Sequence, residues 1–225
     1  MPNQPIEDGG RPLRTAAGGA RRTPAPLTGD PKLFVVTGPS GAGKGTLIQR
    51  LAARRADLEV AVSATTRPRR AGEVDGRDYY FMSEAEFLER VERGEFLEHV
   101  VYVSGHRYGT LLAEIDRILG EGRSCVLELE TEGARRVKDA RPESVTLFVD
   151  APSFAELERR LRARATESAG EIEERLELSR RQREDADEFD YTVVNDDVEG
   201  AVSRLAAVIV RGRAECPAPA SGEPV

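Results

Sequence analysis

Tryptophan is absent from this chain of 225 residues, and cysteine, histidine and methionine occur only twice each. Cys125 lies in an apolar, strand-like run and Cys216 in a Pro/Ala-rich terminus. Neither a disulfide framework nor a cysteine-based metal site is therefore expected. His99 and His106 stand in no motif that would make either a phosphate carrier. No apolar run approaches the ~18 residues of a membrane span. The N-terminus lacks the apolar stretch of a secretory signal, so the expectation is a cytoplasmic protein with no membrane partner. Positive charge is in deficit, with 33 Lys and Arg against 40 Asp and Glu and a net charge of −7. That balance argues against nucleic-acid binding. It leaves room for a local basic pocket that takes a small anion.

Hydrophobic residues make up 39% of the chain, enough for one buried core. Residues 1–31, rich in Pro, Gly, Ala, Thr and Arg, read as a disordered arm, and 212–225 as a disordered tail. Between them, short apolar runs alternate with helical patterns. Strands are expected at Leu33–Thr37, Val60–Ser63, Cys125–Leu129, Val145–Val149 and Tyr191–Val194. Helices are expected at Lys44–Arg54, Ser83–Arg93, Thr110–Glu121, Ser153–Arg164, Glu171–Asp187 and Val198–Val210. Ser83-x-x-Glu86 and Ser153-x-x-Glu156 fit capping boxes, in which Ser and Glu side chains satisfy orphan backbone donors at a helix start. The alternation implies an α/β fold whose parallel sheet is covered on both faces. Residues 64–109 and 165–178 break the alternation and read as insertions at the edge where such sheets bind ligands.

Four constellations carry chemistry. Gly38-Pro39-Ser40-Gly41-Ala42-Gly43-Lys44-Gly45-Thr46 follows a strand and opens a helix. Its glycines let backbone N–H groups turn inward on phosphate oxygens, the helix N-terminus adds partial positive charge, and Lys44 brings a mobile full charge. Gly45 stands where such loops usually place a metal-facing hydroxyl, and Thr46 comes one residue late. This G-K-G-T form is similar to that of adenylate kinases and other nucleoside monophosphate kinases. The second constellation, Ser63 to Phe81, concentrates Arg67, Arg69, Arg70 and Arg77 beside Tyr79 and Tyr80. Forked guanidinium groups suit bidentate phosphate binding, although charge alone describes a solvated basic loop equally well. The third is Glu98, followed by Tyr108-Gly109-Thr110. A carboxylate accepts from guanine N1–H and N2–H2 together, a donor pair adenine lacks, while Ser63 and Thr110 hydroxyls could donate to guanine N7 and O6. Taken alone, Glu98 is as readily an ordinary surface acid. The fourth is Arg160, Arg164 and Arg175, placed to converge on a triphosphate if the segment between folds over it. Spacing alone favours a charged helix face.

Together these motifs resemble the guanylate kinase family. G-P-S-G-A-G-K, V-S-A-T-T-R-x-x-R-x-G-E-x-x-G-x-D-Y, F-L-E-H, Y-G-T, L-E-L-E-x-x-G-A, R-L-x-x-R and V-N-D-D occur in that family's order, from about Leu33 to Val210. The resemblance implies a P-loop, five-stranded parallel core (32–62 and 111–211), a GMP-binding insertion at 63–110 and a lid at 164–178. It implies ATP + GMP ⇌ ADP + GDP, with Mg2+ carried by ATP and no fixed protein metal site, in a monomer or homodimer. By matching positions it implies catalytic roles for Lys44, Arg67, Arg164 and Arg175. The loop from Gly38 to Thr46, with Arg160 and Asn195, would hold ATP, Asn195 near the adenine. Ser63, Glu98 and Thr110 would read guanine; Arg67, Arg70, Tyr79 and Tyr108 would hold the GMP phosphate; Glu128 and Glu130 would lie near base and metal-bound water. The chain departs from the family in Gly45 for Ser, in Glu for Asp at 128 and 130, in Glu132 for Gln, and in one extra residue between Glu98 and Tyr108. Two other readings fit less well. Scaffold domains that keep this fold without its chemistry have an eroded glycine loop, and a ribose-bisphosphate kinase has no use for a guanine reader.

Overall fold

Strand β1 (Leu33–Thr37) is buried along its whole length, as a continuous apolar run in a doubly covered sheet must be. In a computed structural model, which describes residues 29–102, 105–163 and 169–214, it is the middle strand of five. The order is β2 (Leu58–Val60), β7 (Ser124–Glu128), β1, β8 (Val145–Asp150), β9 (Tyr191–Val194), all parallel. Alternate β1 residues feed two cores. Phe34 and Val36 pack with Leu47, Leu157 and Leu205 from helices α1 (Lys44–Ala52), α5 (Phe154–Ala163) and α7 (Val198–Ala214). Leu33 and Val35 pack with Ile115, Ile118 and Val137 from α3 (Leu112–Gly120) and α4 (Thr131–Ala140). The expected α/β architecture, a five-stranded parallel sheet flanked by helices, is what forms.

A second sheet stands apart, in the order β4 (Tyr80–Phe81), β3 (Ala64–Thr65), β6 (Arg107–Leu111), β5 (Phe96–Val101). It closes its own small core of Ala64, Phe87 and Leu111 with helix α2 (Glu84–Glu92). Short mixed elements in 64–109 were expected; a sheet was not, because two of its strands are only two residues long.

Several boundaries differ from the sequence reading, for visible reasons. The second strand forms at Leu58–Val60 rather than Val60–Ser63. The Val62 N–H is taken by the Glu114 carboxylate and the Ser63 carbonyl accepts from Tyr80 N, which draws the chain off toward the second sheet. Thr110 and Leu111 complete β6, and α3 begins only at Leu112. Helix α4, Thr-Glu-Gly-Ala-Arg-Arg-Val-Lys-Asp-Ala, was not foreseen: its apolar stripe is just Ala134 and Val137. Helix α6 (Ala169–Glu184) takes in the described part of the expected lid, and α7 runs to Ala214, past the expected start of the tail. At both expected capping boxes the serine half forms: Ser83 Oγ accepts from Glu86 N at 3.2 Å, and Ser153 Oγ from Glu156 N at 3.1 Å. The glutamates turn instead to Arg90 and to Arg159 and Arg160, where both partners of the bond are charged rather than one. No described helix is long and apolar enough to cross a membrane.

Candidate active site

The glycine loop leaves the C-terminal end of the central strand and opens α1. Gly38 adopts φ +131° with its α-carbon pressed against β8; a Cβ there would lie 2.1 Å from the Val149 carbonyl oxygen. Gly43, at φ +92°, is crossed as closely by Asn195, whose Nδ2 would be 2.5 Å from a Cβ. Only glycine meets both demands. Lys44 Nζ folds back over the loop, donating to the Gly38 and Pro39 carbonyls at 2.6 and 3.2 Å. Asn195, expected near the adenine, is buried under the loop and donates to the Ala42 carbonyl at 2.7 Å. Arg160 donates to the Asn195 carbonyl at 3.0 Å and to Glu156 at 2.7 Å.

Glu128 ends β7 beside this loop, its Oε2 3.2 Å from where a Cβ of residue 45 would begin. Its carboxylate therefore occupies the space next to the missing side chain. Surrounding protein partly desolvates its carboxyl and pushes it upward, opposed by the nearby Lys44 charge and reinforced by Glu130, although the residue itself is exposed to solvent.

In the second sheet Glu98 on β5 and Thr110 on β6 are directly opposed, and Thr110 Oγ1 donates to Glu98 Oε1 at 2.8 Å. Both are buried, so Glu98 is not a surface acid. Desolvation raises its carboxyl and the Thr110 bond opposes the rise. Its other oxygen rests on the first turn of α4, 3.4 Å from where a Cβ of Gly133 would stand. Arg136 of the same helix donates to the His99 carbonyl at 3.0 Å, so α4 braces the strand that carries Glu98.

Arg67 is the centre of the phosphate candidates. Its guanidinium makes a two-point bond to Glu73 (3.0 and 2.7 Å) and lies 5.3 and 5.6 Å from the ring centroids of Tyr79 and Phe81. Tyr79 in turn meets Tyr108 edge to face at 5.9 Å. Glu73 also accepts from Arg70 N at 2.7 Å, and the Arg67 bond above all holds its carboxyl down to about 2. Arg67, Tyr79 and Tyr108 thus converge, whereas Arg70 contributes its backbone here and is exposed. Ser63 is half-buried at the junction of the two sheets. Arg175 is exposed on α6. Arg164 lies outside the described residues.

Three partners escaped the sequence reading. Glu73 stands within the Arg-rich motif, and its spacing from Arg67 was a usable signal. Tyr102 packs on Tyr108 at 4.8 Å, in the stretch between Glu98 and Tyr108. Gln182 on α6 donates to Glu130 at 2.9 Å; a glutamine inside a charged helix gives no sequence signal. The Tyr79 phenol feels the Glu128 charge and the Tyr102 phenol that of Glu130. The aromatic edge of the small sheet and the acids at the end of β7 are therefore neighbours, and the space between them, beside the glycine loop that Glu128 borders, is the candidate cleft.

A phosphate-cradling loop at the central strand of a parallel sheet, facing a separate arginine and carboxylate pocket, defines a P-loop phosphotransferase with two nucleotide sites. Comparison with known proteins specifies which. The family model "Guanylate kinase" matches residues 30–211. The chain is 44% identical over 180 residues to a guanylate kinase from Nostoc sp., covering 80% of this chain and 89% of that protein. It is 43% identical over 184 residues to one from Thermotoga maritima, covering 82% and 88%. The crystal structure of guanylate kinase from Anaplasma phagocytophilum superposes with a TM-score of 0.67 at 27% identity, covering 84% of this chain and 89% of that one. The chain belongs to the guanylate kinase family.

Proposed function

We propose that the residues gathered around this cleft carry the reaction of the family, transfer of the ATP γ-phosphoryl group to GMP to give ADP and GDP. The Glu98–Thr110 pair supports the acceptor most directly. A buried carboxylate already aligned by a hydroxyl offers guanine N1–H and N2–H2 the acceptor they need, and adenine would leave it unpaired in a desolvated site. Arg67, Tyr79 and Tyr108, with Arg70, hold the GMP phosphate. The Glu73 pair and the aromatic faces restrict Arg67 to one orientation before substrate arrives, which limits the entropy lost on binding. Ser63 contributes a hydroxyl to the base.

The loop from Gly38 to Thr46 receives the ATP phosphates. The Lys44 donors now spent on loop carbonyls turn to phosphate oxygens, and Arg160 and Asn195 stiffen the loop from behind. The acceptor phosphate oxygen is already charged and needs no strong base, and no covalent enzyme intermediate is required. Rate acceleration rests on alignment and on neutralising charge by Lys44, Arg67, Arg164 and Arg175. Closure of the insertion and of the 164–178 segment excludes water and suppresses ATP hydrolysis. Mg2+ belongs to this reading as the companion of ATP. The donors beside Gly45 are the Glu128 carboxylate and the Thr46 hydroxyl, an all-oxygen set that suits a hard cation retaining several waters. When bound, the ion supplies further charge neutralisation on the phosphates.

The test is ADP formation from Mg·ATP with GMP, AMP, CMP and UMP as separate acceptors. Turnover with GMP alone is expected. Equal turnover with AMP would overturn the base reading, and no turnover with any acceptor would overturn the reaction.

A further inference from the structure

Helix α6 presents Leu176, Ser179 and Gln182 to the protein interior. Two of the three are polar, and a buried polar side chain is costly unless it is used. The Ser179 hydroxyl has no hydrogen-bond partner among the described residues. Gln182 is only 4% exposed, and its Nε2 donates to Glu130 Oε2 at 2.9 Å. A carboxylate only accepts, so the nitrogen must be the amide atom turned toward it. The next residue, Arg183, donates to Asp150 Oδ2 at 2.8 Å. Glu130 lies just past the end of β7, and Asp150 closes β8, the two strands that flank β1. Consecutive residues of one helix therefore grip both neighbours of the phosphate-loop strand. From Asp150 the connection continues inward: its carbonyl accepts from Asn195 N at 2.7 Å, and Asn195 donates to Ala42 of the loop.

We propose that Gln182 is a positioning residue for phosphoryl transfer, which fixes the Glu130 carboxylate at the GMP side of the cleft and locks α6 in register across the phosphate loop. The proposal rests on the placement of Glu130 in the GMP site given above. Arg175 stands about two turns (~10 Å) before Gln182 on the same helix. A slip of α6 would thus displace an arginine meant for the transferring phosphate as well as the acid at the acceptor. Arg183 alone does not set this register, because it is a long side chain closer to solvent.

Three variants test it by steady-state kinetics and thermal melting. Gln182→Leu keeps volume and removes the donor; KM for GMP is expected to rise about ten-fold and kcat to fall, with KM for ATP within about two-fold. Gln182→Glu can donate to Glu130 only when protonated. It is expected to be impaired at about pH 8 and to recover toward about pH 6, a rise on the acid side that the parent enzyme lacks. Glu128 and Tyr102, the groups in electrostatic contact with Glu130, are common to both proteins. Gln182→Asn, one methylene shorter, is expected to fall between parent and Gln182→Leu, and serves if the leucine variant does not fold. Parent-like KM for GMP and pH profile in these variants, with only a lower melting temperature, would reduce Gln182 to a stabilising contact and overturn the proposal. Glu130→Gln separates the two layers: if it is impaired while the Gln182 variants are not, the proposal fails and the GMP-site reading stands. If Glu130→Gln keeps the parent KM for GMP, the placement of Glu130 fails and the proposal goes with it.

Discussion

Thr110 Oγ1 donates to Glu98 Oε1 at 2.8 Å from the directly opposed position on the neighbouring antiparallel strand. Cross-strand opposition fixes this pair more tightly than a loop would. Replacing Glu98 by Gln swaps one acceptor oxygen for a donor and should erode the preference for GMP over AMP by about 100-fold or more, chiefly through the GMP term. Ratios of kcat/KM for the two acceptors measure it. A Glu98→Gln or Glu98→Ala enzyme that keeps the parent ratio would remove Glu98 from base reading.

The same residue predicts a pH dependence. Burial raises the folded-state pKa of Glu98 above its unfolded value. The fold therefore holds the proton more tightly than the unfolded chain does. The stability due to this group is full below the unfolded pKa and is lost as pH rises through the folded one. GMP binding runs the other way, because guanine donors need the ionised acceptor. KM for GMP should rise as pH falls through that raised value, while KM for ATP does not follow. Parallel changes in both constants would assign the effect to another group.

The parts legible in the sequence are those where one residue type answers one local demand. The β1 run and the glycine loop meet this condition, because a strand buried on both faces must be apolar and a loop pressed on Val149 must be glycine. The family's motif order carried the rest of the reading. What stayed hidden depends on contacts distant in sequence. Val62 N–H leaves the sheet for Glu114, 52 residues on, and Gln182 finds Glu130 at the same separation. Helix α4 stayed hidden because a charged segment needs only Ala134 and Val137 to anchor it once the sheet is there. Asn195 was read by resemblance as an adenine neighbour, and no local pattern could place its amide beneath Ala42.

Arg67 is restrained by Glu73 on one side and by Tyr79 and Phe81 on another. Arg67→Lys keeps the charge but loses the fork and the planar stack, so KM for GMP should rise about ten-fold or more. Glu73→Gln should give a smaller rise by loosening the same guanidinium. The Glu73 carboxyl is held down to about 2. This contribution is present above the unfolded glutamate pKa and is lost only as pH falls through about 2, so the Arg67 effect should be flat across the neutral range. An Arg67→Lys enzyme with parent KM for GMP would place the phosphate elsewhere.

Lys44→Ala removes a charge that now rests on the Gly38 and Pro39 carbonyls. Both carbonyls belong to buried loop residues and lose that donor, so a modest loss of stability should accompany the change. Turnover should fall by about 100-fold or more, with KM for GMP nearly unchanged, because the lysine serves the transferring group rather than the acceptor. Equal loss in both constants would mean that Lys44 helps assemble the GMP site.

Asn195 is 4% exposed and its amide satisfies the Ala42 carbonyl at 2.7 Å. Asn195→Ala leaves that acceptor without its partner and opens a gap against Gly43, which should cost about 1–3 kcal/mol of stability. Asn195→Asp has similar volume but cannot donate when ionised, and it brings negative charge beneath a loop built to receive phosphates. If Asn195 only fills space, the alanine variant should be the worse of the two in every assay. If it shapes the phosphate loop, the aspartate variant should show the larger rise in KM for ATP even where it melts at the higher temperature. Opposite rankings in melting and in ATP kinetics are therefore the expected result, and a single shared ranking with alanine worst would make Asn195 a packing residue alone.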